Sequence, residues 1–365
     1  CNVKSALGKY MEIKEKLIKY NLDIEILDSF DLTIYDIWPL PGPHQNYNYR
    51  LETNQGEKYL KKYRQGLYTL DDLEFVCSAI EHLAKRGFRR VPKLVYTRDD
   101  QFFAALGDNL YVIQDVIEGK HYPHTGEGVD LKAAAMTLAE LHRASKGFVP
   151  NKQPSARKMW GTLGNQYADQ LESFEQIQSL IQAKKNKDKF DIRVLENLPF
   201  FQEQARKASI DLLSSKYSEV VSVAQGDKSF CHGDYNPSNL IRTNSGELFV
   251  VDFDDCCQDL RLLDIHRMID WFSQWDFGKT IVLLSSYNSI DRISDAEITI
   301  IPAILNSLYR FWWVVHQYYI VQEAHWTPQW YDAELSYNVF VGRKAHEERF
   351  AEKVVDYLML INKGN

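Results

Sequence analysis

The spacing of apolar positions changes several times along the chain, and each change marks an element. In residues 4–20, Leu7, Tyr10, Met11, Leu17 and Ile18 recur near the helical period, which predicts an amphipathic helix. Residues 32–38 alternate as a strand. Pro39-Leu40-Pro41-Gly42-Pro43 must be a loop, because proline brings no N–H to a ladder. Residues 46–53 and 57–63 are two further strands joined by a turn at Asn54-Gln55-Gly56, so the chain opens as a β-meander. In residues 70–85, Leu70, Leu73, Val76, Cys77, Ile80 and Leu83 form one helical stripe, which Gly87 ends. Residues 92–97 and 101–106 read as a strand pair around Arg98-Asp99-Asp100, and 111–117 as another strand.

Beyond that point the pattern is mainly helical. Helices are predicted over 130–146, 163–184 and 194–223, with the charged run 184–189 as a solvated loop. Two short apolar strands, 239–242 and 248–251, flank the turn Asn244-Ser245-Gly246. The most apolar stretch, 298–321, contains Pro302, Asn306, Arg310, His316 and Gln317, so it reads as a buried helix pair and not as a membrane span. These elements predict an α+β fold of two lobes with a cleft between them. Residues 1–30 form a helical extension, 31–117 a small β-rich lobe, and 118–365 a larger helical lobe.

Composition narrows the function classes. A net charge of -7 argues against a nucleic-acid partner. The five cysteines include no CxxC pair, which fits a reducing, cytoplasmic setting better than a disulfide framework or a zinc site. Residues 1–19 are polar and charged, so no signal peptide is expected.

The candidate chemistry lies in residues 230–255. His232-Gly233-Asp234-Tyr235-Asn236-Pro237-Ser238-Asn239 leads into the short hairpin, which ends at Asp252-Phe253-Asp254-Asp255. Folding back at residues 244–246 brings Asn239 close to Asp252, and aims two hard oxygen donors at one point with Asp254 nearby. Such a set suits Mg²⁺, which takes few protein oxygens and leaves room for phosphates. The order Asp-x4-Asn, then Asp-Phe, matches a phosphotransfer template. In it Asp234 receives the proton of the substrate hydroxyl, Asn239 and Asp252 hold metal, and Asp254 is a further metal ligand. A solvated acidic hairpin end is the bland alternative, and it leaves the joint agreement of position, residue type and intervening strands unaccounted for.

These segments resemble the catalytic and metal loops of the aminoglycoside phosphotransferase and choline kinase superfamily, HGDxHxxN followed by two hydrophobic residues and Asp-Phe or Asp-Trp. Within it, the layout is most similar to the CotS family of bacterial spore-coat proteins. The resemblance covers roughly residues 32–271 and implies a protein-kinase-like fold that uses ATP and Mg²⁺ to phosphorylate a small-molecule hydroxyl. It further implies that Lys61 binds nucleotide phosphates and that the backbone at Gln114 to Val116 meets adenine. Asp264, together with His232, would support the catalytic loop. His142, in LAELHRAS, is expected to pack and not to ligate. Trp271, Trp275, Trp312 and Trp313 are candidates for an acceptor pocket, although core packing suits most of them.

Two departures from the family pattern stand out. Counting back from Leu83 and Gly87, Val76 falls where a helix glutamate usually meets the strand lysine, so either the register differs by a few residues, with Glu74 and Glu81 the nearest acids, or the pair is absent. The phosphate-covering loop, Pro41-Gly42-Pro43-His44-Gln45-Asn46, offers few free N–H groups. They favour an alternative: a pseudokinase acting as a structural or assembly protein of the spore coat, with other coat proteins as partners. A protein kinase is disfavoured, since no Ala-Pro-Glu follows the metal loop.

Overall fold

The computed structural model describes residues 3–40, 46–322 and 326–363. The proline-rich loop expected to cover phosphates, Pro41 to Gln45, lies outside the described residues. Two compact units are present. The first comprises Cys1–His121, Phe148–Lys158 and Ser238–Cys256, and the second Tyr122–Gly147, Met159–Pro237 and Cys257–Asn365.

The first unit is built on a six-stranded antiparallel sheet. Its strands are β1 (Ile34–Pro39), β2 (Tyr47–Thr53), β3 (Gly56–Tyr63), β4 (Leu94–Val95), β5 (Ala104–Leu106) and β6 (Asn109–Asp115). The order is β1-β2-β3-β6-β4, with β5 also on β6. Strands β4 and β5 do not pair with each other, contrary to the sequence reading. Both occupy the free edge of β6, β4 against Ile113 and Gln114 and β5 against Asn109 to Tyr111. The turn at Arg98 to Asp100 does form, closed by Thr97 N donating to Gln101 O at 2.9 Å. The longer register, however, belongs to the β5–β6 hairpin through Gly107, whose positive φ of 56° suits glycine.

One face of this sheet is covered by α1 (Val3–Lys19) and α2 (Ile26–Ser29). Ile13, Leu17, Leu22, Ile26 and Phe30 share a single core with Ile37, Tyr49, Leu51, Leu60 and Ile113. Burying a side chain such as Leu17 stabilises by about 1.5–3 kcal/mol. Polar ties fix the register of this layer: Tyr111 Oη donates to Asp23 at 2.7 Å, and Lys62 Nζ to Asn21 O at 2.6 Å.

Helix α3 (Leu70–Lys85) belongs to the same unit and has the predicted bounds. Thr69 and Asp72 form a reciprocal capping box at its start. At its end, Phe88 N reaches back to Leu83 O at 2.9 Å, with Gly87 at φ 93°. Val76, Cys77, Ile80 and Leu83 are buried, while Phe75 meets Phe148 edge-on at 5.2 Å. A second, three-stranded sheet holds β7 (Lys120–His121), β8 (Leu240–Arg242) and β9 (Leu248–Val250).

The second unit is helical: α4 (Leu131–Ser145), α5 (Leu163–Ala183), α6 (Lys189–Leu213), α7 (Tyr217–Asp227), α8 (Arg261–Met268), α9 (Phe277–Asn288), α10 (Asp295–Ile298), α11 (Ile301–Asn306), α12 (Tyr309–His316), α13 (Pro328–Glu347) and α14 (Phe350–Lys363). The single helix expected over 194–223 is two. Helix α6 begins early, at a capping box made by Asp188 and Asp191. It stops at Leu213 because Ser215 turns its hydroxyl onto Leu212 O and then accepts from Tyr217 N. The apolar stretch 298–321 also breaks: Leu308 takes a left-handed φ of 45°, and the segments on either side bend by 41°. Among the described residues, no single helix is long and apolar enough to cross a membrane.

Gly119, just ahead of β7, lies close against the Arg242 end of β8. A Cβ there would fall against the carbonyl oxygen of Arg242 and lie 2.8 Å from its carbon. Backbone cannot yield as a side-chain tip can, so Gly119→Ala is expected to destabilise the protein by about 1–3 kcal/mol. A urea midpoint equal to that of the wild type would count against this packing.

Candidate active site

The strand period places Lys61 and Lys62 on opposite faces of β3. Lys62 faces α1, as above. Lys61 faces the metal loop, and its Nζ lies 2.8 Å from Asp252 Oδ1 and 2.9 Å from Asp254 Oδ2. Its side chain is 12% exposed, against 48% for Asp252 and 13% for Asp254. Burial disfavours the ammonium, but the two carboxylates outweigh it and hold the Lys61 pKa well above the usual lysine value.

The short hairpin works as predicted. Val251 N donates to Asn239 O at 3.0 Å, so Asn239 and the residue before Asp252 are paired across it. Asp252 itself leaves the strand with φ 63°, a left-handed conformation that aspartate tolerates better than most residues. The backbone there turns sharply, and Phe253 is buried to 2% exposure. Asp252 and Asn239 thus offer a carboxylate and an amide oxygen from adjoining ends of one hairpin. Both are hard donors, few in number, and suited to a divalent cation that keeps water and phosphate ligands.

Asp254, expected as another metal ligand, has its carboxylate committed elsewhere. Oδ2 accepts from Lys61 and from Asn46 Nδ2 at 2.8 Å, and Oδ1 accepts from Tyr63 Oη at 3.0 Å. Burial and the neighbouring Asp254 keep the Tyr63 hydroxyl protonated, hence a donor. Arg157 holds the Asp254 carbonyl from the other side, anchored by Asp72 at 3.0 Å.

A recess with about 350 Å³ of empty space adjoins these groups. Lys61, Val76, Ile80, Val112, Gln114 and Asp252 are among the residues lining it. Gln114 therefore belongs to the recess, while Val116 follows the last strand residue, Asp115. No glutamate of α3 reaches Lys61: Glu74 accepts from Asn151 at 2.7 Å, and Glu81 neighbours Lys85.

Asp234 lies in the second unit, on a loop organised by one buried carboxylate. Asp264 accepts from His232 N at 2.7 Å, from Gly233 N at 2.9 Å, and from His142 Nε2 at 2.9 Å. Burial alone would raise its pKa, but these hydrogen bonds and the nearby imidazoles hold it below the usual carboxylate range. His142 is thus a packed, hydrogen-bonded histidine, with Tyr287 Oη 2.7 Å from its other nitrogen. His232 is fully buried, and its Nδ1 accepts from Asp234 N at 3.2 Å. His142, Cys231 and Asp264 place possible ligand atoms within 4.8 Å of one another. Burial holds the Cys231 thiol protonated and Asp264 is already saturated, which makes the trio a poor metal site.

The Asp234 carboxylate is itself oriented. Asn236 Nδ2 donates to it at 2.9 Å, and the Arg267 guanidinium stands 3.6 Å away. The four tryptophans do not share one pocket. Arg310 covers Trp271 at 3.8 Å, Trp275 is buried and donates to Asp270, Trp312 sits by His316, and Trp313 by Trp330. Trp271 thus already has a cation on its face, from the protein itself.

Sequence reasoning did not single out Tyr63, Asn46, Arg157, Asn236 or Arg267. Tyr63 was accessible to it, standing two residues from Lys61 on the same strand face. Arg157 carried no local signal, since its partners lie 85 and 97 residues away in the chain.

The sequence profile of the APH phosphotransferase enzyme family matches residues 36–286. The chain is 24% identical over 304 residues to a homoserine kinase of Rhizobium rhizogenes, covering 82% of this chain and 84% of the relative. A homoserine kinase of Rhizobium meliloti is 25% identical over 267 residues, covering 71% and 72%. The fold is similar to an aminoglycoside phosphotransferase from Alicyclobacillus acidocaldarius, with a TM-score of 0.71 at 18% identity and coverage of 91% and 95%. It is also similar to a spectinomycin phosphotransferase in complex with ADP and spectinomycin, with a TM-score of 0.64 at 13% identity and coverage of 90% and 97%.

The Asp264 hub generates a stability prediction. Asp264→Asn loses a charged acceptor facing three donors, and should cost about 3 kcal/mol at pH 7. The folded carboxylate has a pKa below its unfolded value of about 3.9. Its contribution is therefore complete above that pH and is lost as the pH falls through the folded pKa. The gap between wild type and variant, read by urea unfolding, should hold from pH 7 to 5 and close below about pH 4. A gap that persists undiminished at pH 3 would remove this account of the loop.

Proposed function

We propose, for a chain that belongs to the phosphotransferase enzyme family, that it transfers the γ-phosphoryl group of ATP to the hydroxyl of a small amino-acid-like alcohol. The fold class and the enzymatic reading of the sequence both agree with that membership. The observation that carries the proposal is Lys61 held at 2.8 Å from Asp252 beside a recess that also takes in Gln114. The acceptor class rests on the homoserine kinases among its relatives.

In this reading Lys61 leaves Asp252 for the nucleotide phosphates, and the backbone from Gln114 to Val116 takes the adenine. Asn239 and Asp252 hold Mg²⁺, which when bound offsets charge on the phosphates. Asp234 orients the acceptor hydroxyl and takes its proton as the oxygen attacks the γ-phosphorus and ADP leaves. Asn236 fixes the Asp234 carboxylate, while Asp264 and His232 fix its backbone. The Arg267 guanidinium, a cationic partner 3.6 Å away, helps set the direction of the Asp234 carboxylate before the acceptor arrives.

A second reading keeps the likeness to the CotS family: a kinase-shaped assembly protein of the spore coat, with coat proteins as partners. Val76, which brings no carboxylate to Lys61 from α3, favours it.

Thermal shift with nucleotide and metal separates the two. Ligand binding adds RT ln(1 + [L]/Kd), about 2.7 kcal/mol at a hundredfold excess, which is a rise of several degrees. The rise should need both ATP and Mg²⁺ and should shrink in Asp252→Asn. Asp234→Asn should keep the rise yet lose about 10²–10⁴ in turnover with homoserine or a related hydroxy amino acid, followed as ADP release. A flat response to Mg²⁺ and millimolar ATP in a well-folded sample would leave only the fold and favour the coat protein.

A further inference from the structure

The lysine of this site needs a carboxylate to hold it, and α3 supplies none. Val76, Cys77 and Ile80 face the recess instead, all buried and apolar or nearly so. We infer that Asp254 is the positioning residue for Lys61, taking the part usually played by a carboxylate on a helix, and that it is not a metal ligand. The inference deepens the phosphotransfer reading and rests on it for its functional consequence.

Asp252 and Asp254 both touch Lys61, but they differ in every other respect. Asp252 is half-exposed, sits at a left-handed turn, and can exchange Lys61 for a cation. Asp254 is 13% exposed, and both its oxygens are used: Lys61 at 2.9 Å and Asn46 at 2.8 Å on one, Tyr63 at 3.0 Å on the other. Asn46 is in turn fixed by accepting from Arg64 N at 3.1 Å. Arg157 pins the Asp254 main chain. A carboxylate already accepting three hydrogen bonds in fixed directions is oriented toward the lysine and offers little to a cation. The two tasks are thus separated within three residues around the buried Phe253: one aspartate is half-exposed and open to a metal, the other is locked onto the lysine.

The test compares Asp254→Asn with Asp252→Asn. A positioning role predicts that Asp254→Asn raises KM for ATP about tenfold or more and lowers kcat/KM for the nucleotide, with the half-saturating Mg²⁺ concentration unchanged. Asp252→Asn should raise that Mg²⁺ concentration. Adding Val76→Glu to Asp254→Asn should restore part of the lost kcat/KM, since it returns a carboxylate to the recess from α3. Lys61 is also read directly, by an amine-reactive label and peptide mass spectrometry without nucleotide. Its modification should speed up severalfold in Asp254→Asn while other lysines keep their rates. Tyr63→Phe removes one support from Asp254 and leaves the charge pair, so it should show the same changes in smaller measure, even if Asp254→Asn fails to fold. A raised Mg²⁺ requirement in Asp254→Asn would make Asp254 a ligand and overturn the inference, as would unchanged labelling of Lys61. Failure of the wild type to bind Mg·ATP would sink the phosphotransfer reading alone, because the labelling result stands without it.

Discussion

An ammonium group taken out of water loses several kcal/mol of hydration, and it is retained in a fold only where anions replace that shell. Lys61 is in that position. Its strand neighbours Tyr59 and Tyr63 and the apolar side of α3 exclude solvent, so Asp252 and Asp254 must both approach within 3 Å. That demand ties together segments that are distant in sequence: the third strand, the end of the hairpin, Asn46 ahead of β2, and Arg157 from a connecting loop. Removing one member of such a buried set strands the others, which typically costs about 3–5 kcal/mol. The sheet, the hairpin and the recess are therefore held in one arrangement by electrostatics as much as by apolar burial.

The second unit applies the same economy to backbone donors. Asp264 satisfies two consecutive main-chain N–H groups and a buried imidazole, and so fixes the backbone of the loop that the buried Phe230 and Tyr235 anchor in the core. Asn236 and Arg267 then set the direction of the neighbouring Asp234 carboxylate. Asp234 is thus left about a third exposed, as is Arg267, while Asn236, His232 and Asp264 behind it are buried.

Much of this was legible in the sequence because it was local. Alternation and helical stripes place β1 to β3 and α3 within a residue or two, and the turn at residues 244–246 brings Asn239 beside the approach to Asp252. The spacing of Asp234, Asn239 and Asp252 indicates phosphotransfer, and the family match agrees. What resisted reading depends on partners far along the chain. The strands β4 and β5 look like a hairpin locally, yet each finds more register on β6. The serines at 214 and 215 interrupt a helix whose apolar period runs straight through them. Asp254 reads as one more acidic ligand, since nothing in its neighbourhood reveals that Tyr63 and Asn46 converge on it. Val76 left two readings open in the sequence, a shifted register or a missing carboxylate, and it is the partners taken by Glu74 and Glu81, Asn151 and Lys85, that show both turned away from Lys61.

The family profile begins at residue 36, whereas the hydrophobic layer under the sheet begins at Ile13. Five apolar side chains from Ile13 to Phe30 cover Leu51, Leu60 and Ile113, the last two on the strands that also carry Lys61 and Gln114. The part that matches the family profile and the part that shares this core therefore begin at different residues. A chain trimmed to the shared part would uncover the back of the sheet and present it to other copies as a sticky surface. A truncation meant to keep Lys61 and Gln114 in place therefore has to carry the leading helices with the sheet.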